Sequence, residues 1–284
     1  MEYQLIALDM DGTLLDSQKR VLPSSTAAIN EAVAAGKVVA ISSGRCPVMI
    51  EMDRAAFPQV RYAICGSGSA IYDFHEQRML KEATLDHALL ETAIAACSGE
   101  DYLCEAFSGT SFFFASDMVE RMPNYFMGIY QPLYASMGTP RADFAERLHD
   151  PAFPVQKFNL HFGSPEARDR VYERLASAPL ELAYMDEASL ELSPVGVNKG
   201  SGVLALAELL GVPREATIAV GDSDNDLTML REAGLGVAMG NANENARAAA
   251  TVQVADNDHD GVAEAIRRFL LGEGDASCEG DGRA

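Results

Sequence analysis

Positive charge is scarce in this sequence. Lys and Arg total 22 against 42 Asp and Glu, a formal net charge of -20. No run of basic residues with interleaved aromatics occurs, so a nucleic-acid partner or an anionic membrane surface is not expected. Anionic small molecules would be repelled as well, unless a site supplied local cations or a metal. Patterned cysteine is also lacking. Cys46, Cys65, Cys97, Cys104 and Cys278 form no CxxC pair and no metal-ligand spacing with the five histidines. That pattern fits reduced thiols in a cytoplasmic protein rather than a disulfide framework or a zinc site. Long apolar runs are absent too. The longest uncharged stretch, Met122 to Pro140, contains Pro, Gly, Asn, Gln, Ser and Thr, whereas a spanning helix needs about 20 mainly apolar residues. The first apolar segment has no basic flank and is interrupted by Asp9, so no signal peptide is expected. No internal repeat is found.

What is present is alternation. At 48% hydrophobic residues over 284 positions, the chain can bury the core of one large domain or of two ordinary ones. Near the front, YQLIAL (3–8) reads as a strand and SSTAAINEAVAAG (24–36) as a helix with Ser24 at its N-cap. KVVAIS (37–42) and YAIC (62–65) read as further strands. The rear repeats the rhythm, with strands at TIAV (217–220), GVAM (236–239) and VQVA (252–255) between helical segments. Strands alternating with helices predict an open, mainly parallel α/β sheet. The middle differs in texture. It is rich in Phe, Tyr and Met, with strand-like TSFFFAS and KFNLHF and helix-like SPEARDRVYERLAS. Its aromatic and Met residues read as a core of its own. The predicted organisation is therefore a discontinuous α/β core (1–81 and 188–271), an inserted α+β unit (82–187) and a polar, Gly-rich tail (272–284) expected to be disordered.

The carboxylates fall where strands end. Asp9 and Asp11 follow the first strand, Ser42, Ser43 and Gly44 close or follow KVVAIS, and GDSDND (221–226) follows TIAV. In an open parallel sheet these ends share one edge, where ligands bind. Taken singly, each group has a plainer reading. Asp and Ser are common turn formers and N-caps, Ser43 alone reads as a cap, and Lys199 alone as a solvated lysine. GDSDND lacks the spacing of a calcium loop. Three clusters on one predicted edge favour a single site. Asp9, Asp11, Asp222 and Asp226 crowded there would repel one another. A hard divalent cation such as Mg²⁺ removes the conflict, since it prefers oxygen ligands and works with carboxylates plus substrate phosphate. Ser43, Gly44 and Lys199 would supply donors and positive charge to an anion. An ionised aspartate can attack phosphorus, and a second one in a different environment can hold the proton for the leaving oxygen.

With these residues in view, the sequence resembles the haloacid dehalogenase superfamily, and within it the Cof-type phosphatases with a large α/β cap of type IIB. DMDGTLLD, ISSGR, Lys199 in VNKG and GDSDNDLTML stand where that family carries its four motifs. LGVAMGNANENARAAA and DNDHDGVAEAI are similar to its closing segments. The resemblance implies Asp9 as nucleophile and Asp11 as general acid/base. It implies Mg²⁺ on Asp9, the Asp11 backbone carbonyl and Asp222, with Asp226 supporting. Ser43, Gly44, Lys199 and Asn225 would hold the phosphoryl group. Family members that dehalogenate lack the second aspartate, so its presence points to phosphate esters. The sequence departs from the family pattern at Ser43, where Thr is usual, and at Ser67, where Asn is usual.

The expected activity is Mg²⁺-dependent hydrolysis of a small phosphorylated metabolite, a sugar phosphate for preference, through an aspartyl-phosphate intermediate. A sugar phosphomutase on the same scaffold is the alternative, and a non-catalytic phosphate-binding module stands third. The sequence is silent on oligomeric state and on which insert residues select the substrate.

Overall fold

The computed structural model describes residues 2–273. The tail expected to be disordered lies, from residue 274 onward, outside the described residues, as does Cys278.

Eight strands form the first sheet. They are β1 (Leu5–Leu8), β2 (Val38–Ser42), β3 (Tyr62–Cys65), β4 (Ala70–Asp73), β5 (Arg78–Glu82), β12 (Thr217–Gly221), β13 (Leu235–Ala238) and β14 (Val252–Gln253), in the order β14-β13-β12-β1-β2-β3-β4-β5. Strands β14 to β3 run parallel, and β4 and β5 add an antiparallel edge. The central strands are apolar along their whole length because helices cover both faces. Ile6 and Leu8 face one buried cluster and Leu5 and Ala7 the other. Register places Leu8 beside Ile41 and Val220. The residues that follow, Asp9, Ser42 and Gly221, therefore emerge side by side.

Six further strands form the second sheet, between β5 and β12 in the chain. They are β6 (Tyr102–Ser108), β7 (Ser111–Ala115), β8 (Thr139–Arg141), β9 (Lys157–Phe162), β10 (Leu180–Met185) and β11 (Ser189–Pro194), in the order β10-β11-β9-β6-β7-β8. Helices His87–Ala96 and Pro165–Leu175 supply the apolar cover of one face. Among the described residues no helix is long and apolar enough to cross a membrane.

Two expectations change. The division at 187/188 cuts a hairpin, since β10 and β11 pair antiparallel from Leu180↔Pro194 to Met185↔Ser189. The turn between them uses Asp186 with φ 45°, and the chain leaves the second sheet only after Pro194. Ser24 is not the cap of the first helix. That helix spans Pro23–Ala34 with Leu22 before it, because the fixed φ of proline and its missing N–H suit the first helical position. Ser24 Oγ instead donates to Asp260 Oδ1 at 2.5 Å.

The insert's core is also less private than expected. Phe107, Phe112, Phe114, Met118, Met122, Met127 and Tyr134 share one cluster with Cys46 and Met49, which sit on the loop and helix after β2. The two sheets are thus joined through an apolar contact next to the strand ends.

The chain's return from the insert is fixed by close packing. Gly68 has φ +106°, and a Cβ there would collide with the Asn198 carbonyl oxygen. Gly68→Ala is expected to destabilise the protein by about 1–3 kcal/mol, read as a lowered midpoint in equilibrium urea unfolding. A midpoint equal to wild type would show that this approach is not tight.

Candidate active site

Asp9 leaves β1 with its backbone N–H on Val220 O at 3.1 Å and its side chain buried. Lys199 approaches from the opposite side. It opens the helix Lys199–Leu210, whose start is set by Asn198. The Asn198 side chain accepts from Ser201 N, and Ser201 Oγ receives the Asn198 N–H in return. Lys199 is 1% exposed, and its Nζ donates to Asp9 Oδ1 at 2.6 Å and to Asp226 Oδ1 at 2.7 Å.

Asp226 is held by the turn that carries it. Its Oδ2 accepts the backbone N–H groups of Asp222 (2.9 Å) and Ser223 (3.1 Å). Asp222 accepts from Thr13 Oγ1 at 2.9 Å through Oδ1. Gly12, at φ +84°, lets the first loop pass so near Asp222 that a Cβ would collide with its carboxylate. One carboxylate oxygen from each of Asp9, Asp222 and Asp226 lies within 4.8 Å of the other two. One ammonium serves two of them, leaving net negative charge in a buried place. Burial, then Asp226, push the Asp9 carboxyl up to about 8 against the pull of Lys199. Burial and Asp226 likewise push Asp222 up to about 6. Burial alone would lower the Lys199 ammonium, but Asp226 and Asp9 hold it well above its ordinary value. Oxygen-only donors with surplus negative charge suit a hard divalent cation.

Asp11 stands apart from this trio. Its carboxylate meets Arg45 Nη2 at 2.8 Å and Lys19 Nζ at 2.8 Å. Partial burial would raise it, but Arg45 and then Lys19 outweigh that and hold it below the usual carboxylate range. Arg45 also pairs with Asp53 at 3.1 Å. The residue expected to carry a proton is therefore stabilised here in its ionised form. Ser43 is buried. Its N–H donates to Ile64 O at 2.8 Å and its Oγ accepts the Arg45 N–H at 3.2 Å, so that N–H does not face outward. The Gly44 carbonyl accepts from Lys157 Nζ at 2.9 Å. Asn225 is exposed, its Oδ1 accepting from Ser223 Oγ at 2.9 Å. Ser67 adopts φ 57° and lies against Gly44.

Three residues escaped the reading of the sequence. Arg45 ends the ISSGR stretch yet was not assigned a place in the site. Lys19 follows the first motif. Lys157 comes from the insert. For Lys157 a signal existed, since polar Lys157, Asn159 and His161 alternate with Phe158, Leu160 and Phe162.

The raised acids carry a consequence for stability. A carboxyl whose folded value exceeds its unfolded value of about 4 stabilises the fold while protonated, and that contribution disappears as pH rises through the folded value. In chelator-treated protein the Asp9–Asp222 cluster should therefore lower the melting temperature progressively between about pH 4 and 8. Asp9→Asn should flatten that slope. Parallel pH profiles for the two proteins in thermal melts would sink this expectation.

The comparisons with known proteins agree along nearly the whole length. Residues 6–266 match the family model described as haloacid dehalogenase-like hydrolase. The chain is 29% identical over 272 residues to 5-amino-6-(5-phospho-D-ribitylamino)uracil phosphatase YcsE of Bacillus subtilis, covering 95% of this chain and 97% of that protein. It is 30% identical over 283 residues to pyridoxal phosphate phosphatase YbhA of Escherichia coli, covering 95% and 100%. The crystal structure of a haloacid dehalogenase-like hydrolase from Bacteroides thetaiotaomicron superposes with a TM-score of 0.80 at 27% identity, covering 94% of this chain and 99% of that one. With its strand-end carboxylates, its buried lysine and its inserted second sheet, this chain belongs to the haloacid dehalogenase-like hydrolase family and is one of its phosphatases.

Proposed function

We propose that the protein is a cytoplasmic, Mg²⁺-dependent hydrolase of small phosphate monoesters, sugar phosphates in the first place, working through an aspartyl-phosphate on Asp9. The observation that carries this reading is the sharing of Lys199 by Asp9 and Asp226 beside Asp222. Such a trio needs a cation and is ready to receive a phosphoryl group. Asp9, Asp222 and the backbone carbonyl of Asp11 would hold Mg²⁺, with Asp226 steadying the group through Lys199 and the 222–223 amides. When bound, the ion would neutralise the carboxylates and draw charge from the phosphoryl oxygens.

The protein's own groups divide the remaining work. A carboxylate oxygen of Asp9 attacks phosphorus, forming the acyl phosphate as the ester P–O bond breaks. Lys199, already on Asp9, balances charge on the phosphoryl oxygens, and Ser43 and Asn225 add hydrogen bonds to them. Asp11 protonates the leaving oxygen, then takes a proton from the water that cleaves the acyl phosphate and regenerates Asp9. Its ionised, paired state in the structure suits the second role. The first requires release from Arg45 and Lys19, and an incoming phosphate would compete for both cations.

The direct test is hydrolysis of p-nitrophenyl phosphate with Mg²⁺ or with EDTA, by wild type, Asp9→Asn and Asp11→Asn. EDTA and Asp9→Asn should each abolish turnover, and Asp11→Asn should reduce it about 10²–10⁴-fold while phosphoenzyme accumulates. Wild-type rates in Asp9→Asn would refute the nucleophile. Turnover that appears only with a sugar bisphosphate present would replace hydrolysis with phosphate transfer within one sugar.

A further inference from the structure

Among the described residues the two sheets end in β14 and β5 on the first and β8 and β10 on the second. A free edge offers backbone N–H and C=O groups to any other strand, and folds guard against this with short strands, charge, proline or bulges. Three of these edges are guarded. β14 is two residues long. β5 reads RMLKE, with charge at Arg78, Lys81 and Glu82, and its pairing with β4 contains a register shift. β8 is three residues long with Pro140 at its centre.

β10 carries none of these devices. It is six residues long, LELAYM, and pairs with β11 without a break from Leu180↔Pro194 to Met185↔Ser189. Among the described residues no strand lies on its outer side. Its single charge, Glu181, is engaged by its own chain, where Oε1 accepts the Gly196 N–H at 2.8 Å. Ala183 and Tyr184 are exposed in the strand, and Val195, 65% exposed, follows β11 at the Leu180 end.

The strand is nevertheless held firmly. Leu180 and Leu182 pack against the core of the insert. The Tyr184 ring lies 5.0 Å from that of Tyr172, and the Arg168 guanidinium carbon is 4.3 Å from its centroid. An edge that is regular, fixed and mainly apolar is preorganised to accept another strand.

We infer that β10 is a dimer interface, on which β10 of a second copy of this chain pairs antiparallel about a two-fold axis at Ala183. Opposed residues of antiparallel strands share a face, so such an axis passes through a residue rather than between two. With Ala183 opposite its own copy, Leu182 meets the partner's Tyr184 and Glu181 meets the partner's Met185. Apolar groups then oppose apolar groups on the helix-covered face, and the two Glu181 carboxylates fall at opposite ends of the ribbon. The smallest side chain of the strand stands on the axis. LELAYM is thus complementary to itself, which is what an isologous interface requires and what an unrelated peptide would not need. The chain's own residues 274–284 are rich in Gly and Asp and make a poor strand. Pairing would run one continuous sheet through both copies and leave neither with a free β10 edge.

Sedimentation velocity of the full chain tests this, up to about 100 μM protein in about 0.15 M salt, which screens the like net charges of the two copies. Wild type should sediment as a dimer at the top of that range. Ala183→Lys and Ala183→Glu each set like charges against one another across the axis. Each should weaken the dimer about tenfold or more, with the far-ultraviolet circular dichroism unchanged. The two substitutions move net charge in opposite directions, so a shared loss marks the local contact. Mixed in equal amounts, the two variants should regain the dimer, a recovery that a folding defect could not produce. A wild type that stays monomeric over the whole range would overturn the assignment. A dimer left intact by both substitutions, or variants that stay apart on mixing, would overturn it too.

Discussion

The site depends on one ammonium group shared between two carboxylates. Lys199 ties Asp9, at the end of β1, to Asp226, on the turn after β12. Buried ion pairs owe their survival to good geometry and to hydrogen bonds on the remaining lone pairs. Both conditions are met at Asp226. The second oxygen of Asp226 is occupied by two backbone amides, and Lys199 is fixed by a capped helix start. Among the described residues no ammonium pairs with Asp222, which accepts from the Thr13 hydroxyl. The imbalance is local and directional. It gives the strand edge an appetite for cations in a molecule whose surface is strongly acidic.

Much of this arrangement was legible in the sequence, for a topological reason. Parallel strands deliver their carboxyl ends to a common edge, so Asp9, Ser43 and Asp222 could be gathered without knowing a single distance. Lys199 alone reads as a solvated lysine, and only the gathered carboxylates and the family motif bring it to the site. The state of Asp11 was not legible. Its partners Arg45 and Lys19 come from two different loops, and only three-dimensional placement shows both on one carboxylate. Lys157 was hidden for a related reason. Its polar alternation was visible in KFNLHF, yet which way that face points depends on how the two sheets are set against each other. The misplaced boundary at 187/188 has a different origin. β11 reads as polar on one face, and the turn at Asp186 is too short to look like a return into an existing sheet.

Basic groups gather near the strand ends of an otherwise acidic chain. Arg45, Lys19, Lys199 and Lys157 are few among 22 basic residues, and they surround the strand ends. Once a bound cation offsets the carboxylates, an anionic ester would be repelled elsewhere and attracted here, and the scarcity of positive charge over the rest of the chain would sharpen the contrast. The relatives' named substrates differ widely, from a ribitylamino-uracil phosphate to pyridoxal phosphate. That spread fits a phosphoryl site carried by the first sheet and a variable face carried by the second.

The apolar joint between the sheets bears on chemistry of another kind. Met49, Met118, Met122 and Met127 lie in it, none more than 6% exposed. Thioether sulfur is oxidised by peroxide where the reagent can reach it, and the sulfoxide is polar enough to spoil an apolar contact. While the sheets stay together these four sulfurs are shielded, and separation of the sheets would take Met49 and Cys46 away from the insert's share of the cluster. The oxidation rate of Met49 therefore reports the fraction of time the joint spends apart. The same damage, once done, would hinder the joint from reforming and couple oxidative wear directly to loss of the contact between the sheets.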